Sequence, residues 1–192
     1  NVSRALSFLP LCHVYERMNI YVYHYLGVSI YYAENMGTIA DNIREVSPEI
    51  LTTVPRLLEK VYDKIMSKGL KTKGFKKKIF LWAVKTGHQF EPMENQGWWF
   101  GLKLTIANKL VFSKWREALG GKMRVIVSGG AALQPRLIKV FTAAQIPVLE
   151  GYGLTETSPV IAVNTLGKRG KNPGTVGNPI KNGDVKISDE GE

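Results

Sequence analysis

The chain has 192 residues, of which 44% are hydrophobic and 22% charged, the composition of a packed globular domain rather than a disordered or fibrous chain. Its single cysteine excludes an internal disulfide, and His13, His24 and His88 are too scattered for a local metal cluster; the longest apolar run, Ile20 to Ala33, is broken by His24 and too short to span a bilayer. The formal charge of +10 raises a nucleic-acid or anionic-surface partner, but six lysines between Lys68 and Lys78 supply much of that excess.

In chain order, Ala5 to Leu9, closed by Pro10, predicts a buried strand. Val14, Met18, Val22 and Tyr25 then recur at helical spacing up to Gly27, and the β-branched and aromatic run Val28 to Ala33 reads as a second strand. Thr38 opens Thr-Ile-Ala-Asp, a capping-box-like start for a short helix through Arg44. Ile50 to Val54 predicts a third strand, with Pro55 as the first residue of a helix to about Ser67 whose apolar face is Leu58, Val61, Tyr62 and Ile65. The lysine run falls next, on a junction between helices that faces water or, in the other reading, an acidic surface. A helix from Phe75 to Gln89, a polar turn from Glu91 to Gly97 and a helix from about Trp98 to Leu119 follow. Met123 to Val127 predicts a strand, Pro135 to Ala144 a helix and Ile146 to Leu149 the next strand.

Strands alternating with helices imply right-handed crossovers, so the expected fold class is α/β: a mostly parallel sheet with helices on both faces, over residues 1–164. Val160 to Val163 reads as a further strand, Gly167 to Gly174 as a basic, glycine-rich loop, and Val176 to Ile187 as the start of a small β-rich unit within 165–192. The chain opens without methionine or a signal-peptide pattern and ends on Ser188 to Glu192, a turn. It is therefore expected to be an excised piece of a longer protein, from a reducing, cytoplasmic compartment.

In a parallel open sheet, ligands bind beyond the carboxyl ends of the strands. Two segments there stand out. Ser128-Gly129-Gly130-Ala131-Ala132 has small residues that let a ligand approach the main chain and use its N–H groups; a tight strand-to-helix turn explains them equally well. Glu150-Gly151-Tyr152-Gly153-Leu154-Thr155-Glu156-Thr157 brackets an aromatic ring with glycines. That ring can stack on a base, the Thr155 hydroxyl can donate to a phosphate oxygen, and Glu156 offers hard oxygen for Mg²⁺; an ordinary glycine-bracketed turn is the plain alternative. A dinucleotide-binding Gly-x-Gly-x-x-Gly is excluded, because position 156 is Glu and Pro159 soon follows.

The run Glu150 to Pro159, EGYGLTETSP, resembles the signature of the AMP-forming adenylating enzymes, the superfamily of acyl-CoA synthetases, luciferases and peptide-synthetase adenylation domains. Four further segments match in the expected order: Leu9 to Arg17 resembles the Pro-x-x-His segment in its long-chain fatty acyl form, Val54 to Lys60 is similar to the same branch, Ser128 to Leu133 resembles Ser-Gly-Gly-Ala-Pro-Leu, and Gly174 to Pro179 resembles Gly-Thr-Val-Gly-x-Pro. Ordered matches over nearly the whole chain are far more specific than any one of them.

The resemblance implies a long-chain fatty acid:CoA ligase that uses ATP, Mg²⁺ and coenzyme A. A carboxylate attacks the α-phosphate of ATP to give acyl-adenylate and pyrophosphate, then the coenzyme A thiol displaces AMP. By the same resemblance Tyr152 stacks on adenine with Glu150, Gly151 and Gly153 alongside, Thr155 binds the α-phosphate region and Glu156 helps hold Mg²⁺. Gly129, Gly130 and Ala131 line the junction of nucleotide and acyl group, and His13 orients the reacting carboxylate or adenylate, with a helix-capping role as its plainer reading; the aromatic Tyr15, Tyr21 and Tyr25 read as core more readily than as acyl-chain lining. Ala132 stands where the family more often has proline, which loosens the loop without touching the chemistry. The family's phosphate loop, ribose aspartate, nearby arginine and C-terminal-domain lysine are not in this sequence, so the chain alone is expected to be inactive. Adenylation of an aryl or medium-chain acid and a noncatalytic nucleic-acid or anionic-surface module are the competing readings. The favoured one expects no nucleic acid, allows peripheral contact with anionic membrane and leaves the oligomeric state open.

Overall fold

The computed structural model describes residues 3–167, 172–181, 183–189 and 191. Short apolar runs become strands and the longer periodic segments become helices, in the order β1 (Arg4–Ser7), α1 (Val14–Tyr25), β2 (Ser29–Tyr32), α2 (Ile39–Val46), β3 (Ile50–Thr53), α3 (Pro55–Leu70), α4 (Gly74–His88), α5 (Gly97–Ala107), α6 (Ser113–Ala118), β4 (Val125–Ser128), α7 (Pro135–Ala143), β5 (Val148–Gly153), β6 (Val160–Val163) and β7 (Asn178–Pro179). Among the described residues these strands make one seven-stranded sheet in the order β2-β1-β3-β4-β5-β6-β7. β1 to β5 pair in parallel, while β6 and β7 add antiparallel edges. The mostly parallel α/β fold expected from the alternation is the fold observed.

Alternation along β1 divides the core. Leu6 joins Leu51, Ile126 and Val148 in the large cluster under α2 to α7, whereas Ala5 turns to the opposite face and packs with Ile20 and Tyr23 of α1 and with Val28. Helices thus cover both faces unequally. The large cluster contains edge-to-face aromatic pairs around Trp115, with ring centroids 5.1 Å from Phe112 and 5.8 Å from Phe141, each worth about 1 kcal/mol beyond its buried area. Tyr62 packs on the same group, and its hydroxyl meets His88 Nε2 at 2.8 Å while His88 Nδ1 reaches the Arg136 carbonyl at 3.2 Å. Burial holds the His88 pKa below its ordinary value, so the neutral ring serves as a connector between α3 and α7.

Four local expectations change. α1 forms, but it buries Glu16, Ile20 and Tyr23 rather than the stripe Val14, Met18, Val22 and Tyr25, and Tyr25 is 90% exposed. The buried row keeps i, i+4, i+7 spacing, with a carboxyl group at its first position. Thr38 makes no side-chain cap; the Asn35 side chain takes the Gly37 and Thr38 N–H groups, and Asp41 pairs with Arg44 instead. The single helix expected from Trp98 to Leu119 is interrupted by a π-helical turn at Asn108–Phe112. There the buried Asn108 amide donates to the carbonyls of Leu104 and Ala143 and accepts from Arg116. Val185 to Ile187 takes no strand pairing, and positions 168–171 of the basic loop lie outside the described residues, as do 190 and 192 of the terminal turn.

Candidate functional site

β5 runs longer than its apolar run. Gly151, Tyr152 and Gly153 are strand residues rather than loop, paired to Val163, Ala162 and Val160 of β6 across an irregularity between Tyr152 and Gly153. The chain then turns through a 3₁₀ segment at Thr155–Thr157. Thr157, which the sequence reading left without a role, shapes this turn: its hydroxyl oxygen accepts the Leu154 N–H at 2.9 Å and its O–H donates to the Pro159 carbonyl at 2.8 Å. Tyr152, Thr155 and Glu156 are consequently displayed at the surface by an internally braced hairpin.

A cleft of about 770 Å³ opens beside that hairpin, on the face of the sheet covered by α1. It is lined by His13 from the start of α1, by Gly129 and Gly130 after β4, and by Gly151, Tyr152, Gly153, Thr155 and Glu156. Leu9, Val54, Val127, Val160 and Val163 give it apolar walls. His13 and Glu156, 143 positions apart in sequence, therefore line one opening beyond the carboxyl ends of the parallel strands. Ala131 and Glu150 do not line it.

Glu150 has a different employment. It is 5% exposed, and its two carboxylate oxygens accept the backbone N–H of Leu133 at 3.0 Å and of Gly174 at 3.3 Å. It therefore ties the segment before α7 and the segment before β7 to β5, beneath the residues that face the cleft. Gly129 is likewise partly engaged: its N–H donates to the Thr53 carbonyl at 3.0 Å, and a Cβ there would lie 3.1 Å from the Tyr15 ring. Gly130 keeps the freedom expected of a ligand-approach residue, with φ +83° and nothing nearer than Val54.

His13 occupies the N-cap position of α1 with an extended backbone but makes no side-chain cap, so its exposed imidazole is free of that structural duty. Tyr15 is not simply core. It lines the cleft, its hydroxyl donates to the Val127 carbonyl at 3.1 Å, and burial pushes its phenol pKa well above the ordinary value. Glu16, completely buried, also borders the cleft and escaped notice because a carboxylate in a helix normally reads as a solvent face. Among the described residues no group of three or more His, Cys, Asp and Glu side chains could hold a metal ion. A divalent cation here would depend on one protein carboxylate plus ligand oxygens, the way Mg²⁺ is held beside nucleotide phosphates, and Glu156 at the cleft fits that donor set.

Residues 2–192 match the family model described as AMP-binding enzyme. The chain is 32% identical over 193 aligned positions to the long-chain-fatty-acid CoA ligase FadD15 of Mycobacterium bovis, covering 99% of this chain and 32% of that protein. It is 35% identical over 191 positions to long chain acyl-CoA synthetase 3 of Arabidopsis thaliana, covering 95% and 27%. The fold matches that of a solved Mycobacterium tuberculosis fatty acyl CoA synthetase with a TM-score of 0.60 at 18% identity, over 100% of this chain and 29% of that one. The chain thus spans about a third of the length of the curated relatives it matches.

Proposed function

The chain belongs to the AMP-binding enzyme family, and from that premise we propose that it forms the central part of a long-chain fatty acid:CoA ligase. The observation that carries this reading is the convergence of His13, Gly130 and the Tyr152 to Glu156 hairpin on one cleft. In it Tyr152 offers a half-exposed ring for adenine, and the Thr155 hydroxyl donates to the α-phosphate region. Glu156 supplies the carboxylate for Mg²⁺, which when bound neutralises charge on the phosphates. His13 orients the fatty acid carboxylate, whose oxygen attacks the α-phosphorus and displaces pyrophosphate; the coenzyme A thiolate then attacks the acyl carbonyl and displaces AMP. Chemistry of this kind is mostly positioning and charge stabilisation, which rigidly mounted side chains can provide.

Pyrophosphate release by the full-length protein, measured with ATP and Mg²⁺ across a panel of carboxylates, tests the assignment. Turnover is expected to be highest with palmitate-like acids; activity confined to aryl or medium-chain acids overturns the long-chain assignment.

We further propose a cytoplasmic enzyme that makes peripheral contact with anionic membrane through α4 and α5. From Lys64 to Phe90 there are eight lysines and no acidic residue, and none occurs from Asn95 to Arg116. Along α5, Trp98 and Trp99 stack at 4.0 Å and are 69% and 63% exposed, followed by exposed Leu102 and Ile106 and, in the π-helical turn after it, exposed Leu110. Aromatic and aliphatic groups beside lysines are what an interfacial helix requires, and among the described residues no helix is long and apolar enough to cross a membrane. Binding to phosphatidylserine-containing vesicles is expected to fall about tenfold or more in a W98S/W99S variant and to weaken with salt. Equal binding to neutral and anionic vesicles, or retention by that variant, overturns the contact; salt-sensitive nucleic-acid binding lost on neutralising the lysines supports the competing module instead.

A further inference from the structure

The first turn of α1 carries His13 and Tyr15 to the cleft, yet no apolar side chain in that turn is buried. Val14 and Tyr15 are half-buried, Arg17 is exposed, and the apolar anchors Ile20 and Tyr23 come one and two turns later. The one fully buried side chain there is Glu16. Its carboxyl Oε1 accepts the Ser7 hydroxyl at the end of β1, and its Oε2 accepts the Thr52 hydroxyl of β3 at 3.4 Å. Those residues follow the paired Leu6 and Leu51 on adjacent parallel strands, so one side chain bridges the helix to two strands at once. One residue earlier, Tyr15 extends the attachment to β4 through the Val127 carbonyl.

We propose that Glu16 is a positioning residue: its buried carboxyl group, hydrogen-bonded to Ser7 and Thr52, pins the first turn of α1 to β1 and β3, and so fixes where His13 and Tyr15 stand at the cleft. An ionised carboxylate in this place has hydroxyl donors but no counter-charge. The charged and titratable groups facing it are the phenols of Tyr15 and Tyr23 on its own helix, with only the Ser7 and Thr52 hydroxyls on the strands, and among the described residues no cation pairs with it. Burial accordingly raises the Glu16 pKa, the two hydroxyls opposing only in part. The Tyr23 hydroxyl, also buried, adds a second polar group with no counter-charge, and its own pKa is pushed up to about 12 by burial, with the Thr52 hydroxyl opposing in part.

The sign of the pH effect follows. Between the ordinary carboxylate value and the raised one, the folded chain holds a proton that the unfolded chain has released, so folding stability falls as pH rises through that window. Glu16→Gln keeps the shape and removes the titration. The melting temperature of the wild-type chain relative to E16Q is therefore expected to fall as pH rises above the ordinary carboxylate range; a difference that is flat or rises overturns the raised pKa. Amide hydrogen exchange at Arg17 to Ile20 is expected to quicken about tenfold in Glu16→Ala and in Ser7→Ala, which removes the same bond from the strand side, with E16Q close to wild type. Exchange unchanged in both alanine variants overturns the pinning.

A functional arm rests on the ligase reading. In the full-length enzyme, E16A and S7A are expected to lower kcat for adenylate formation about tenfold while KM for ATP moves less than about twofold, because the nucleotide groups stand on the β5–β6 hairpin rather than on α1; E16Q restores most of the loss. A rise in KM for ATP with kcat intact overturns the positioning role. Absence of any carboxylate activation by the wild-type enzyme overturns the ligase reading itself and leaves the exchange and melting results to decide Glu16.

Discussion

Replacing Glu156 by Gln in the full-length enzyme is expected to lower the rate of acyl-adenylate formation by about 10²- to 10³-fold, the loss typical when a group aimed at developing charge is removed. Glu156 is exposed, sits in the middle of the three-residue 3₁₀ turn and lines the cleft, while the bonds that brace the turn belong to Leu154, Thr157 and Pro159. Its carboxylate therefore contributes nothing to the fold that the amide would forfeit, and the melting temperature should stay within about 1 °C of wild type, as for most exposed substitutions. Gln keeps the side-chain length and an acceptor oxygen but loses the charge. The rate loss should consequently shrink as Mg²⁺ is raised, if the defect is weakened metal retention beside the phosphates. Single-turnover pyrophosphate release against Mg²⁺ concentration measures this. A rate equal to wild type at every concentration removes Glu156 from the chemistry.

The two faces of that hairpin explain which parts of the site were legible in sequence. Residues proposed to meet a ligand carry their chemistry in their own type: an aromatic ring between glycines, a hydroxyl and a carboxylate in succession form a pattern that is legible in sequence. Residues that hold the site in place do not. Glu150 sits inside the same motif and is indistinguishable by type from a ligand-binding acid, yet its oxygens are occupied by the Leu133 and Gly174 N–H groups, from segments 17 and 24 positions away. Only the tertiary fold brings those donors to it.

Glu16 illustrates the same limit from the other side. Hydropathy periodicity treats a carboxylate as solvent-facing, so the stripe through Val14, Met18, Val22 and Tyr25 appeared the better candidate for the buried face of α1. Pairing with Ser7 and Thr52 on two different strands reverses that preference. The order of strands and helices was legible because each element is a local pattern; β5 outran its apolar run because its last residues are held by β6, a partner that periodicity within one segment does not report.

Gly153→Ala is expected to destabilise the chain by about 3 kcal/mol, toward the upper end for overpacked sites. For a domain of this size that lowers the melting temperature by roughly 6–12 °C. The cause is space rather than backbone conformation, since Gly153 is not among the residues with positive φ. A Cβ at this position would lie 1.6 Å from the Pro159 carbonyl oxygen, 2.6 Å from its carbon and 3.0 Å from Val160 Cα, all main-chain atoms that no rotamer change can remove. The same carbonyl oxygen accepts the Thr157 hydroxyl, so pushing it away also breaks the brace that presents Thr155 and Glu156. Gly151 provides the contrast: a Cβ there meets Val163 Cγ2 no closer than 3.6 Å, an ordinary van der Waals distance, although Gly151 too lines the cleft. Gly151→Ala should therefore melt within about 2 °C of wild type, and any loss of nucleotide binding it causes reports crowding of the ligand. Thermal melts of the two variants side by side separate these roles. A G153A chain as stable as G151A would mean that β5 and β6 do not cross at this distance, and the signature glycine would then be explained by the ligand alone.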